Sequence, residues 1–142
     1  MIYHIYANRS NIGDWLSARG IQKLLGDVKI TECFCDEPFV AETMQMLAEA
    51  SKNDLIIIGG GGLLMDYFIP FWKAFSFVAE RVPFCIWGIG YCNIKHEPSL
   101  PPGALIEQIV RKAHLCIVRD ELSRSYLPNC FYLFQLPAQV ST

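Results

Sequence analysis

Asn53-Asp54-Leu55-Ile56-Ile57-Ile58-Gly59-Gly60-Gly61-Gly62-Leu63-Leu64-Met65-Asp66 is the stretch that decides the fold. Four apolar residues, three of them β-branched, run without a break into four glycines. A short apolar run bounded by turn formers predicts a strand over residues 55–58, buried on both faces in the middle of a parallel sheet. The glycines follow its carboxyl end, where open α/β sheets bind their ligands. Glycine tolerates positive φ and lets a ligand approach main-chain N–H groups. One glycine would serve a tight turn, so four in succession predict a binding loop.

Outward from this stretch, strands alternate with helices. Strands are predicted over residues 2–7, 28–34, 82–87, 115–118 and 131–134, and helices over 15–25, 39–51, 71–80, 104–113 and 121–126. Asp14 is placed as a candidate N-cap of the first helix. The pattern predicts a single α/β, Rossmann-like three-layer domain across residues 1–142, with a parallel sheet and right-handed crossovers. The expected strand order is 3-2-1-4-5, with a sixth strand at the edge.

Composition narrows the function classes. The chain has 142 residues, 52% hydrophobic and 18% charged, with a net charge of −2. Disorder is excluded on that balance, and no basic stripe points to nucleic acid. No run approaches the ~18 apolar residues of a membrane span, and the start lacks a secretory pattern, so a cytoplasmic protein is expected. Six cysteines, at 33, 35, 85, 92, 116 and 130, lie largely in apolar runs. They are read as buried small hydrophobes in a reducing compartment. The scattered His4, His96 and His114 give no metal-ligand spacing, and no metal is expected. Aromatic residues between Tyr67 and Phe77 predict an apolar patch and a homodimer or a docked partner domain.

The candidate site gathers strand ends. Asn11, Gly13 and Asp14 follow the first strand, Gly59, Gly60, Gly61 and Gly62 the third, with Asp66 close behind, Gly88 and Gly90 the fourth, and Arg119 the fifth. Glycine amides, helix N-termini and one arginine suit an anion or a sugar phosphate. The alternative for Arg119 is a surface ion pair with Asp120 or Glu121. Gly88-Ile89-Gly90 lacks the third glycine of a dinucleotide fingerprint, and 59–62 lacks the lysine and hydroxyl of a phosphate loop. Cys92 has no base beside it and is read as inert.

Three motifs in this order resemble the polysaccharide pyruvyl transferase family: Asn11-x-Gly13-Asp14, the 54–64 strand and glycine run with Asp66, and Val118-Arg119-Asp120-x-x-Ser123 followed by Leu127. The resemblance covers about residues 2–127 and concerns the amino-terminal domain only, half of a GT-B-type fold. It implies transfer of pyruvyl from phosphoenolpyruvate to two hydroxyls of a sugar in a cell-surface polysaccharide, with no further cofactor. Arg119 and Gly59 to Gly62 would hold the donor. Asn11, Gly13, Asp14, Asp66, Gly88 and Gly90 would shape the cleft, and Asp14 is the candidate acid. The family's carboxyl-terminal domain is expected on a separate half or not at all, and Leu136-Pro137-Ala138 stands where the family usually has Asp-Pro-Ala. The chain alone is therefore expected to be incomplete as an enzyme. The alternatives are a non-catalytic sugar- or anion-binding module and a small nucleotide-binding α/β protein.

Overall fold

A computed structural model describes residues 1–91 and 103–132. The elements are β1 (Ile2–Tyr6), α1 (Ile12–Leu25), β2 (Ile30–Phe34), α2 (Val40–Leu47), β3 (Leu55–Gly61), α3 (Ile69–Val78), β4 (Phe84–Ile89), α4 (Ala104–Arg111), β5 (Leu115–Val118), α5 (Glu121–Tyr126) and β6 (Phe131–Tyr132). All strand pairs are parallel, in the order β2-β1-β3-β4-β5-β6. The α/β three-layer, Rossmann-like expectation holds. The expected order 3-2-1-4-5 does not: the chain steps from β1 outward to β2, then returns across β1 to lay down β3. Alternating strands and helices fix parallel pairing and crossover hand but not the side to which each crossover turns, and both orders obey the handedness rule. The reversal between β1 and β3 is a topological switch point, the place where such sheets open a crevice.

The central position of β3 is as the sequence implies, with β1 on one flank and β4 on the other. Its length is a correction. Gly59 and Gly61 stay in register with β4, opposite Trp87 and Ile89. Three of the four glycines are thus strand, and only Gly62 lies beyond it.

Strand alternation divides the side chains between two layers. Tyr3, Ile5, Ala7, Ile56 and Ile58 join the main core with Leu47, Phe71, Trp72 and Phe75 from α2 and α3. Trp72 is fully buried, and its Nε1 donates to the Leu63 carbonyl at 3.0 Å, so its polar atom is satisfied. The aromatic run read as a surface patch is therefore mostly core; Tyr67 and Phe77 remain exposed. No helix among the described residues is long and apolar enough to cross a membrane.

Two of the six cysteines depart from the free-thiol reading. Ile117 pairs with Phe131, which brings the preceding residues, Cys116 and Cys130, opposite each other with Cα atoms 4.9 Å apart, and they form a disulfide. Neither sits near the other until β6 adds to β5, so spacing along the chain does not reveal the pair. Cys33, Cys35 and Cys85 are free, and burial raises all three thiols, Cys33 to about 12. Cys92, His96, Leu136 and the outer part of the expected 131–134 strand lie outside the described residues.

The opposite face of the sheet carries α1, joined to it by a polar network that begins at His4. This histidine is fully buried. Its Nε2 lies 3.1 Å from the Gly59 carbonyl and its Nδ1 3.1 Å from the Gln22 amide nitrogen. Gln22 also donates to Glu32 at 2.9 Å. An amide nitrogen only donates, so Nδ1 accepts and the proton is assigned to Nε2, facing Gly59. Burial lowers the His4 pKa from its ordinary 6.5, against smaller opposing pulls from the Gly59 carbonyl and Glu32. A folded pKa below the unfolded one means that the unfolded chain gains a proton first as pH falls. His4 therefore costs no stability above pH 6.5 and destabilises progressively as the pH drops from there toward its lowered folded value. Urea midpoints at pH 7.5 and 5.5 should fall in wild type, and the His4→Gln variant should show a smaller fall.

Candidate functional site

The carboxyl edge of the sheet at the switch point is bordered by the amino end of α1. Asn8 Oδ1 accepts from the Ser10 and Asn11 amides at 2.8 and 3.0 Å, which fixes the turn after β1. The N-cap is Asn11, whose side chain accepts from the Asp14 amide at 3.2 Å. This corrects the capping role expected of Asp14. Asp14 is the third helical residue, and its carboxylate points instead to the end of β3.

The glycines explain how it gets there. Gly60 and Gly61 have φ of 88° and 93°, a region that other residues avoid. A Cβ on Gly59 would strike the Trp87 carbonyl and lie 2.8 Å from Ile21 Cδ1. One on Gly60 would come within 3.0 Å of Ser17 Cβ and 3.1 Å of the Ala18 nitrogen. One on Gly61 would collide with the Asp14 carboxylate. The glycines are thus occupied by α1, which rests directly on the strand and places Asp14 against Gly61.

A second charged side chain is seated in the same manner. A Cβ on Gly90 would overlap Arg119 Nε and lie 2.8 Å from its Cδ and Cζ. Gly90 and Gly61 are joined, the Gly90 amide donating to the Gly61 carbonyl at 3.0 Å. Asp14 and Arg119 therefore lie over two hydrogen-bonded glycines at the ends of β3 and β4. Their fields meet: burial raises the pKa of half-buried Asp14, Arg119 pulls it back, and Asp36 pushes it up.

Arg119 is held from behind. Its Nε donates to Asp120 Oδ2 at 2.9 Å, and an Nη donates to the Tyr91 carbonyl at 3.0 Å. The ion pair with Asp120, the alternative reading of Arg119, is thus present, and it orients the guanidinium of a side chain that is 40% exposed. Asp120 also caps α5, accepting from the Ser123 amide at 2.8 Å and the Ser123 hydroxyl at 2.6 Å. The fully buried Ser123 in turn accepts from the Tyr91 amide at 2.8 Å. Burial alone would raise the Asp120 carboxyl, but the Ser123 and Arg119 bonds together outweigh it and hold it below its usual range. The Arg119-Asp120-x-x-Ser123 spacing is one helical turn doing two tasks, capping α5 and fixing the arginine.

The other expected residues divide. Gly13 adjoins the cap, 3.4 Å from Asn11 Oδ1 measured to an added Cβ. Gly88 has φ of 72° but open space around it, and it lies where the β4–β5 register shifts; it serves a bulge rather than a close approach. Asp66 is exposed and lies beside Gly103 at the start of α4. Asn8, Asp36 and Tyr67, which carry no site motif in the sequence, form a hydrogen-bonded rim beside these residues.

The family model for polysaccharide pyruvyl transferase matches residues 4–133. No curated protein and no solved structure matches the chain.

Gly61→Ala should cost about 1–3 kcal/mol from its positive φ alone, before the collision with Asp14 is counted. Gly20→Ala, in the α1 interior with nothing within 4 Å of the new methyl, should stabilise by about 0.5–1 kcal/mol. Urea unfolding of the two variants checks both signs.

Proposed function

This chain belongs to the polysaccharide pyruvyl transferase family, and on that premise we propose that its crevice binds phosphoenolpyruvate at Arg119 for transfer to a sugar of a cell-surface polysaccharide. In this reaction the methylene carbon of the donor gains a proton, a sugar hydroxyl attacks the neighbouring carbon, and phosphate leaves. A second hydroxyl then closes the ketal. The two hydroxyl protons balance the one gained by carbon and the one taken up by phosphate or solvent.

The observation that carries this reading is the seating of Asp14 and Arg119 over the linked glycines Gly61 and Gly90. A guanidinium fixed by Asp120 and the Tyr91 carbonyl is preorganised to meet a carboxylate or phosphate, and little ordering is left for binding. A half-buried carboxyl with a raised pKa suits proton donation to carbon. Asn11 supports the assignment by taking the capping task, which leaves the Asp14 carboxylate available. The Gly60 and Gly61 amides contribute through the crevice floor rather than as a free phosphate-binding loop.

Titration of phosphoenolpyruvate into wild type and Arg119→Ala tests the donor role. Loss of charge-assisted hydrogen bonds worth about 1.5–3 kcal/mol should weaken binding about ten- to hundredfold. Asp14→Asn should bind at least as tightly as wild type, because a neighbouring negative charge is removed. Equal affinity in wild type and Arg119→Ala rejects the donor role.

A further inference from the structure

The carboxyl edge of the sheet, where a crevice is proposed, has two unlike ends. On the β4–β5 side stands Arg119. On the β1–β2 side stand Asn8, Asp36 and Tyr67, each carried by a different segment that leaves the sheet at its carboxyl edge. The β1 and β2 chains run on together past their ladder, with the Cys35 amide donating to the Tyr6 carbonyl at 2.9 Å and the Asp36 amide to the Ala7 carbonyl at 3.1 Å. Asp36 then draws its neighbours in. Its Oδ1 accepts from the Tyr67 hydroxyl at 3.1 Å and the Glu37 main-chain amide at 3.0 Å, and its Oδ2 accepts from the Asn8 side-chain Nδ2 at 2.9 Å.

Tyr67 is the telling member. It is 55% exposed, although it belongs to the most aromatic segment of the chain. An exposed tyrosine is ordinary when its ring is loose. Here the hydroxyl is tied to Asp36, and the ring meets the buried Phe68 edge to face, with centroids 5.0 Å apart at 82°. The ring is thereby a fixed, solvent-facing plate at the rim.

We propose that this end of the crevice is the subsite for a neutral pyranose, stacked on the Tyr67 ring and hydrogen-bonded through its hydroxyls to Asp36. The proposal rests on the donor reading only for which end takes the anion. The electron-rich face of an aromatic ring attracts the polarised C–H edge of a sugar. An ionised carboxylate accepts about four hydrogen bonds; three are used here, which leaves one on Oδ2 for a hydroxyl. Asp36 and Asp14 repel an anion from this end, and Arg119 attracts one to the other. The charge order along the strand ends, Asp36, Asp14, Arg119, thus sorts a neutral acceptor from an anionic donor. Asp14 stands between them and feels both neighbours.

The test uses the full chain, with methyl β-D-galactopyranoside and methyl β-D-glucopyranoside as probes followed by NMR, and phosphoenolpyruvate titrated separately. Binding of at least one glycoside is expected with a Kd on the order of 10 mM or tighter. Tyr67→Ala should weaken it about five- to tenfold, the value of a lost aromatic contact. Asp36→Asn should also weaken it, and neither variant should weaken phosphoenolpyruvate. Both substitutions are on the rim, and unchanged melting temperatures confirm folding. Glycoside affinity unaltered in both variants overturns the subsite, as does failure of both glycosides to bind wild type. Glycoside binding lost in Tyr67→Ala, with no phosphoenolpyruvate binding in wild type, upholds the subsite and removes the donor reading instead.

Discussion

The close approach of α1 to the end of β3 is the constraint on which the placement of Asp14 depends. A helix normally keeps its distance from a strand because both carry side chains. Three glycines remove them along one strand end, and Gly60 and Gly61 take positive φ to keep the backbone in reach. The helix then rests on bare main chain. Its third residue, Asp14, lies against Gly61, and its side chain at Gln22 reaches His4 and Glu32 in the sheet. A side chain at Gly60 would press on the α1 backbone, one at Gly61 would displace the Asp14 carboxylate, and one at Gly59 would strike the Trp87 carbonyl of β4 as well as Ile21.

The same device recurs one strand over. Gly90 gives up its side-chain space to Arg119, and the Gly90–Gly61 hydrogen bond couples the two seats. Behind Arg119, Asp120 and Ser123 form a support that is satisfied at every polar atom described. Helix capping and arginine orientation share these groups. Asp120 caps a helix and orients a guanidinium with one carboxylate, so loss of it would loosen both. At Asp14 burial outweighs charge, lifting the carboxyl above its usual value while Arg119 pulls it down.

Much of this was legible in the residues. The apolar run at 55–58 marked the central strand, the alternation marked the parallel sheet, and the glycine clusters marked the edge at which charged residues gather. What the sequence left open was whatever depends on which way a crossover turns. The β2-β1-β3 order is such a choice; the Cys116–Cys130 pair follows from the register of β6 on β5, and the Asn8–Asp36–Tyr67 rim joins residues far apart in the chain. Local ambiguity accounts for the rest. Asn11 and Asp14 are both good caps, and only the helix start at Ile12 decides between them. The glycine run reads as a loop because glycine disfavours strands, yet pairing with β4 keeps it extended.

At the centre of the edge stands Asp14, a half-buried acid whose carboxyl is raised first by burial and held back by Arg119 across the paired glycines. Carbon-13 NMR titration of the aspartate carboxyls, in wild type and Arg119→Ala, measures this directly. Asp14 is expected to titrate above its ordinary 3.8 in wild type and higher still once the guanidinium is removed. An Asp14 that titrates at or below 3.8, or one indifferent to the loss of Arg119, would contradict it.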